Sequence, residues 1–301
     1  MRSFSSPASY LAATVLLFSP AASAFYLPGV APTTYKENDK VEVNVNHLTP
    51  ALSEKDPQLH QVFSFDYYHP AFHFCRPDPE PPKDVSESLG SIIFGDRIFN
   101  SPFQLSMKKN ETCKALCTEQ KIDAKSAKFV KKRIWQNYNL NWLIDGLPAG
   151  QLYTDPTTDT DFTLRGFPLG MVDKEQKALL NNHFDIVIDY HLAGADKYRV
   201  VGVLVIPSSR AGSKRLENGQ GECGEPENKV PLMLDEKSDT LVTWTYGVYW
   251  RESKTAWATR WDSYLHVYDP RIHWFSLVNS AVIVIFLCGR SRFIHMSCFN
   301  H

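Results

Sequence analysis

The sequence predicts a mainly β protein: a β-sandwich or jelly-roll-like domain with short helices, followed by one transmembrane helix. Three observations carry this. Apolar and polar residues alternate with a period of two in several segments, the signature of half-buried strands. Aromatic residues make up 13% of the chain, a content natural to pleated surfaces on which rings pack. Near the end, residues 272–289 hold no charged side chain apart from His273, and 281–287 is purely apolar.

In chain order the first element is an export signal. Arg2, an apolar stretch over 10–18 and the small residues Ala22-Ser23-Ala24 describe a signal peptide over 1–24, cleaved after Ala24. Its apolar core is too short for a membrane anchor. Residues 25–271 then read as one lumenal β-rich domain. Val41, Val43 and Val45 alternate with Glu42, Asn44 and Asn46. Tyr138, Leu140, Trp142 and Ile144 alternate with Asn137, Asn139 and Asn141, and Asp145-Gly146 supplies a hairpin turn. Phe184, Ile186, Ile188 and Tyr190 form another alternating set. Residues 198–206 are almost continuously apolar and β-branched, as in a central strand, with Pro207 ending it. Residues 241–250 are a further strand.

Two helices interrupt the pattern. Asp84 caps a helix over 84–93. Over 123–134, Ala127, Val130 and Ile134 share one face and lysines the other, which reads as a solvated helix face. The proline-rich 76–83 and the polar 212–229 read as loops inside one domain. The run 272–289 sits at the length threshold for a transmembrane helix, with Ser276, Asn279 and Ser280 weakening it. Arg290 and Arg292 follow without acidic residues, as on a cytoplasmic side, and open a short atypical tail, 290–301.

Composition and motifs narrow the chemistry. The 32 basic and 33 acidic residues nearly cancel, so nucleic acid is not an expected partner. Cys75, Cys113, Cys117 and Cys223 lie in the exported portion, where two disulfides are expected, with three pairings open. A spacing of one helical turn favours Cys113 with Cys117, leaving Cys75–Cys223 as a long-range staple. A zinc site from the same four is the weaker reading. Cys288 and Cys298 fall in or beyond the membrane segment.

His69, His73 and Cys75 invite a metal reading, but Pro70, Ala71, Phe72 and Phe74 lie between them and no matching ligands follow. Aromatic packing and a disulfide explain them better. No nucleophile elbow, zinc-protease pair or phosphate-cradling loop is present. The expectation is a non-enzyme without cofactor, metal or small-molecule substrate. Asn110-Glu111-Thr112 is a glycosylation sequon, since Asn100-Ser101 is blocked by Pro102. Trp244, Trp250, Trp257 and Trp261 offer an alternative reading as a lectin-like carbohydrate-binding module.

Together these segments resemble a known family. Phe25-Tyr26-Leu27-Pro28-Gly29, Tyr67-Tyr68, Phe74-Cys75-Arg76-Pro77, Ser88-Leu89-Gly90 and Gly95-Asp96-Arg97-Ile98 appear in order. Asn141-Trp142-Leu143-Ile144-Asp145, Gly166-Phe167-Pro168-Leu169-Gly170 and Asn182-His183 follow. The densest blocks are Thr245-Tyr246-Gly247-Val248-Tyr249-Trp250, Arg260-Trp261-Asp262 and Ile272-His273-Trp274-Phe275-Ser276. The chain resembles the lumenal half and first span of a nonaspanin, of the transmembrane nine superfamily. The resemblance implies a β-sandwich-like lumenal domain on a nine-span membrane domain in Golgi and endosomal membranes. It also implies trafficking and sorting of other membrane proteins, with the lipid bilayer and membrane-protein cargo as partners and no catalytic residues to carry over. After Gly289 the tail departs from the family pattern, so a truncated form is expected.

Overall fold

This computed structural model describes residues 32–51, 63–78, 81–85, 93, 95–156, 159–216, 221–223, 230–265 and 274–299; in the last stretch, side chains are described over 278–290. The signal segment and its cleavage point after Ala24 lie outside the described residues. The chain divides into two units, one ending at Tyr264 and the other starting at Leu265.

The first unit is mainly β. The strands that build its core are β1 (Val43–Pro50), β2 (Phe99–Asn100), β3 (Glu111–Ala115), β4 (Tyr138–Ile144), β5 (Leu147–Pro148), β6 (Gly150–Asp155), β7 (Thr160–Arg165), β8 (Phe167–Pro168), β9 (His183–Gly194), β10 (Lys197–Ser208) and β11 (Thr245–Glu252). They form a six-stranded sheet in the order β7-β6-β10-β9-β11-β3 and a five-stranded one in the order β8-β4-β1-β2, with β5 paired to β4. Trp142 of one sheet meets Phe184 of the other at 4.9 Å between ring centroids, so both sheets share a single core.

Alternation decides which faces turn inward. In β4, Tyr138, Leu140, Trp142 and Ile144 are all buried, as the sequence predicts. In β9, Phe184, Ile186 and Ile188 are buried while Tyr190 is partly exposed. Three details differ from expectation. First, β9 pairs with β11 in parallel, and β10 pairs with β6 in parallel at Leu204↔Gly150. A jelly roll is antiparallel throughout; here the long connection between β10 and β11 lets the chain return in the same direction.

Second, β10 runs through Pro207 to Ser208, against β9. Beyond Leu204 its other side has no described strand partner, so the missing proline N–H interrupts no ladder. Third, the strand expected over 241–250 is split. Thr240–Val242 pairs with Gln120–Ile122, and β11 starts only after Trp244, whose buried side chain turns into the core.

The helix α1 (Ala124–Trp135) matches the expected one, with Ala127, Val130 and Ile134 buried and Asp123 extended just before it. Of the helix expected over 84–93, Asp84 instead bridges Phe99, the Val85 N–H donates to the Ile98 carbonyl and Ile93 is helical; residues 86–92 lie outside the described set.

The second unit contains the helix α2 (Trp274–Phe299), which continues past the expected boundary at Gly289 into the segment set apart as a tail. Val278, Val282, Ile283, Val284, Ile285, Phe286 and Leu287 are all exposed. Among the described residues no helix is long and apolar enough to cross a membrane. The described side chains of α2 cover a stretch shorter than the roughly 20 residues a span takes.

Candidate functional site

The four expected cysteines do pair, but not as the spacing suggests. Cys75 bonds Cys117, and Cys113 bonds Cys223. Cys113 lies in the extended strand β3, and Cys117 lies just beyond it, so no helical turn brings their sulfurs together. Four residues of extended chain span about 13 Å, too far for a bridge.

Each disulfide has its own surroundings. Cys75 is buried beside Phe74, whose ring stacks on Tyr67 at 4.5 Å and meets Trp244 at 4.9 Å. The histidines suggested for a metal are absorbed into this packing. His69 stacks on Phe129 at 5.3 Å. The His73 Nε2 lies 3.2 Å from Ser126 Oγ, and its carbonyl accepts the Trp244 indole N–H at 3.0 Å.

A polar cluster sits where the first unit ends. Asp145 and Gly146 both have positive φ, 50° and 72°, as a two-residue hairpin turn between β4 and β5 requires. That turn brings the Asp145 carboxylate inside. Its Oδ1 accepts the Tyr35 hydroxyl at 2.8 Å and its Oδ2 pairs with the Arg260 guanidinium at 3.1 Å. The two charged side chains are only 5% and 9% exposed. Arg260 also donates to the Val200 carbonyl at 3.3 Å and lies 4.6 Å over the Trp257 ring. Tyr264 donates to the Pro148 carbonyl at 2.8 Å, and Tyr35 exchanges backbone hydrogen bonds with Tyr198.

Burial pushes the Asp145 carboxyl above its usual range, against the opposing pull of Tyr35 and Arg260. Burial likewise pushes the Tyr35 and Tyr264 hydroxyls well up, so both remain donors. The cluster holds no nucleophile. It clasps the first described strand-like segment, the β4–β5 turn, β10 and the segment that leads out of the β domain.

A second polar cluster surrounds the other disulfide. His183, fully buried, has Nε2 3.0 Å from Asp185 Oδ1 and Nδ1 2.9 Å from Thr245 Oγ1. Its Nδ1 also lies 3.4 Å from the Cys223 sulfur. Asn182 fixes the same region through hydrogen bonds with Arg210 and the Thr243 carbonyl.

Asn110 is exposed, and its Oδ1 accepts the Trp250 backbone N–H at 2.9 Å. The four tryptophans are not gathered into a stacking face. Trp244 is 2% exposed, Trp250 donates to the Lys109 carbonyl at 3.1 Å, Trp257 lies under Arg260, and Trp261 packs on Tyr264.

These features define a class: a disulfide-stapled β domain followed by a helical unit with uncovered apolar side chains. Residues 64–301 match the family model described as Endomembrane protein 70, through the segment after Gly289. The chain therefore belongs to the endomembrane protein 70 family, within the transmembrane 9 superfamily. Transmembrane 9 superfamily member 1 of Saccharomyces cerevisiae is 44% identical over 90% of this chain and 45% of its own length. Member 2 of the same yeast is 40% identical over 91% of this chain and 47% of its own. Human member 4 is 34% identical over 92% of this chain and 44% of its own. The chain thus spans less than half the length of these relatives.

The clasp was not anticipated. Asp145 was legible as a turn residue and Arg260 as part of a motif, but nothing in the sequence pairs them. The one available signal is a lone arginine between two tryptophans, in a segment otherwise destined to leave the domain.

Proposed function

We propose that the chain is an endomembrane protein of the Golgi and endosomes that takes part in the trafficking and sorting of other membrane proteins. Its β domain lies in the lumen and presents a surface to cargo, and α2 is a membrane span. The single observation that carries this reading is family membership over most of the chain. Two disulfides suit an oxidising lumen. The 26 residues of α2 rise about 39 Å, against a hydrocarbon core of ~30 Å, and its described apolar side chains are exposed on all faces.

The test is a tagged full chain followed through three readouts. The expected result is co-localisation with Golgi and endosomal markers, retention in the membrane pellet after carbonate, and a β domain shielded from added protease until the vesicles are opened. A glycosidase-sensitive mobility shift, lost in Asn110→Gln, is expected if the sequon faces the lumen. A cytosolic pool with an unshielded β domain would overturn the proposal.

A further inference from the structure

Both disulfides line open pockets, but among the described contacts only Cys113–Cys223 has an imidazole within reach of a sulfur. Around Cys75–Cys117 the described polar contact to sulfur is the Gln120 amide, 3.4 Å from Cys117. Around Cys113–Cys223 the imidazole of His183 reaches the Cys223 sulfur. Asp185, an acceptor when ionised, takes the proton on Nε2, so Nδ1 is left as the ring's basic nitrogen, facing both Thr245 and Cys223. Arg210 fixes this carboxylate through a 3.4 Å contact with Oδ2 and donates to the Cys223 carbonyl at 3.5 Å. The arrangement is Cys–His–Asp, with the cysteine held oxidised.

Both cysteines are partly buried, and a pocket opens on the Cys113 side. Cys113 lines an open pocket of about 540 Å³ with Gln104, Glu111, Lys114 and Arg215; Cys223 does not line it. The Cys113 sulfur rests against Gly221, where an added Cβ would come within 2.7 Å of it, so only glycine lets strand 221–222 sit this close. The charged groups on the pocket side are Lys109 and Lys114, both paired with Glu111, together with Arg215. A thiolate approaching from the pocket meets a net cationic wall.

We propose that Cys113–Cys223 is a thiol–disulfide exchange site that reacts with external dithiols through Cys113. A thiolate of the dithiol attacks the Cys113 sulfur, forming a mixed disulfide while the Cys113–Cys223 bond breaks. Cys223 leaves as a thiolate, and the proton released when the attacking thiol ionises ends on His183 Nδ1, giving an imidazolium that faces and stabilises this thiolate. The second thiolate of the dithiol then attacks its own sulfur in the mixed disulfide and releases Cys113. The balance is one dithiol oxidised and one protein disulfide reduced to two thiols. Opening the bond unties β3, an edge strand, from the polar excursion between β10 and β11. The site goes beyond the trafficking reading and stands or falls on the purified chain alone.

The experiment is differential alkylation with mass spectrometry on the full chain in detergent, titrated with dithiothreitol. Cys113 and Cys223 are expected to open at a reductant concentration about tenfold or more below that for Cys75 and Cys117. With glutathione, the trapped adduct is expected on Cys113. After reduction, Cys223 alkylation should reach half its plateau below the ordinary thiol value of about 8.5, and His183→Gln should move that midpoint up. Asp185→Asn should move it part of the way, which covers the case in which His183→Gln fails to fold. Simultaneous opening of both disulfides, an adduct on Cys223, or a midpoint unmoved in the folded variants would each overturn the proposal.

Discussion

Two regions of the β domain are held by different physics. At one, Phe72, Phe74 and Trp244 pack beside the buried Cys75 of the Cys75–Cys117 bond, and most of the binding is non-directional burial. At the other, Tyr35, Asp145, Arg260 and Tyr264 meet through hydrogen bonds and a desolvated ion pair. Apolar packing tolerates small movements and ignores pH. A buried ion pair depends on geometry and on protonation, because removing either partner leaves the other buried without compensation. The segment leading out of the domain is held by the second kind of contact, so its attachment is the one that charge can control.

Removing the aromatic anchor should give the largest effect. Trp244→Ala deletes a fully enclosed ring and its bond to the His73 carbonyl, and is expected to lower stability by about 3–5 kcal/mol, equally at pH 5 and pH 7. Denaturant titration of the detergent-solubilised chain reads this. Replacing Cys75 and Cys117 together by alanine opens a loop with a sequence separation of 42, for an expected loss of about 4 kcal/mol in the same titration. Arg260→Ala leaves the Asp145 carboxylate without its cation, for an expected loss of about 3 kcal/mol. Limited proteolysis should show the cut sites of this variant concentrated after Trp250, which distinguishes a released segment from global unfolding.

The pH dependence sharpens the contrast. With its folded value raised by burial, Asp145 holds a proton in the folded state that the unfolded chain has already released. Its contribution to stability is full below the ordinary carboxyl range near 4, and is lost as pH rises through the raised folded value. The denaturation midpoint of the wild type, measured relative to Asp145→Asn, should therefore fall as pH rises from about 4, while the difference between wild type and Trp244→Ala stays flat. The smallest effect belongs to the solvated face of α1. Lys131→Ala breaks an exposed pair with Glu236 at 2.8 Å and should cost less than about 1 kcal/mol, diminishing with salt.

Much of the aromatic region was legible in the sequence, and little of the polar region was. Alternation along β4 and β9 and the apolar face of α1 follow from one-dimensional periodicity, because burial acts residue by residue. The Asp145-Gly146 turn was equally readable, since two positive φ angles demand those residue types. The partners of that aspartate were not, because Tyr35 and Arg260 lie 110 and 115 residues away in the chain and only the folded register joins them. The cysteine pairing failed for a related reason. Spacing judged Cys113 and Cys117 as neighbours on a helical turn, whereas β3 extends that stretch and sends the two sulfurs to different partners. The parallel return of β11 beside β9 is likewise a property of the long connection and not of any strand's own pattern.

The disulfide map tests the central claim most directly: that one β domain is stapled separately at regions of different character. Non-reducing peptide mapping of the full chain, isolated from membranes with free thiols blocked at lysis, should recover Cys75 linked to Cys117 and Cys113 linked to Cys223. A Cys113–Cys117 peptide, or four free thiols in freshly isolated protein, would contradict the account.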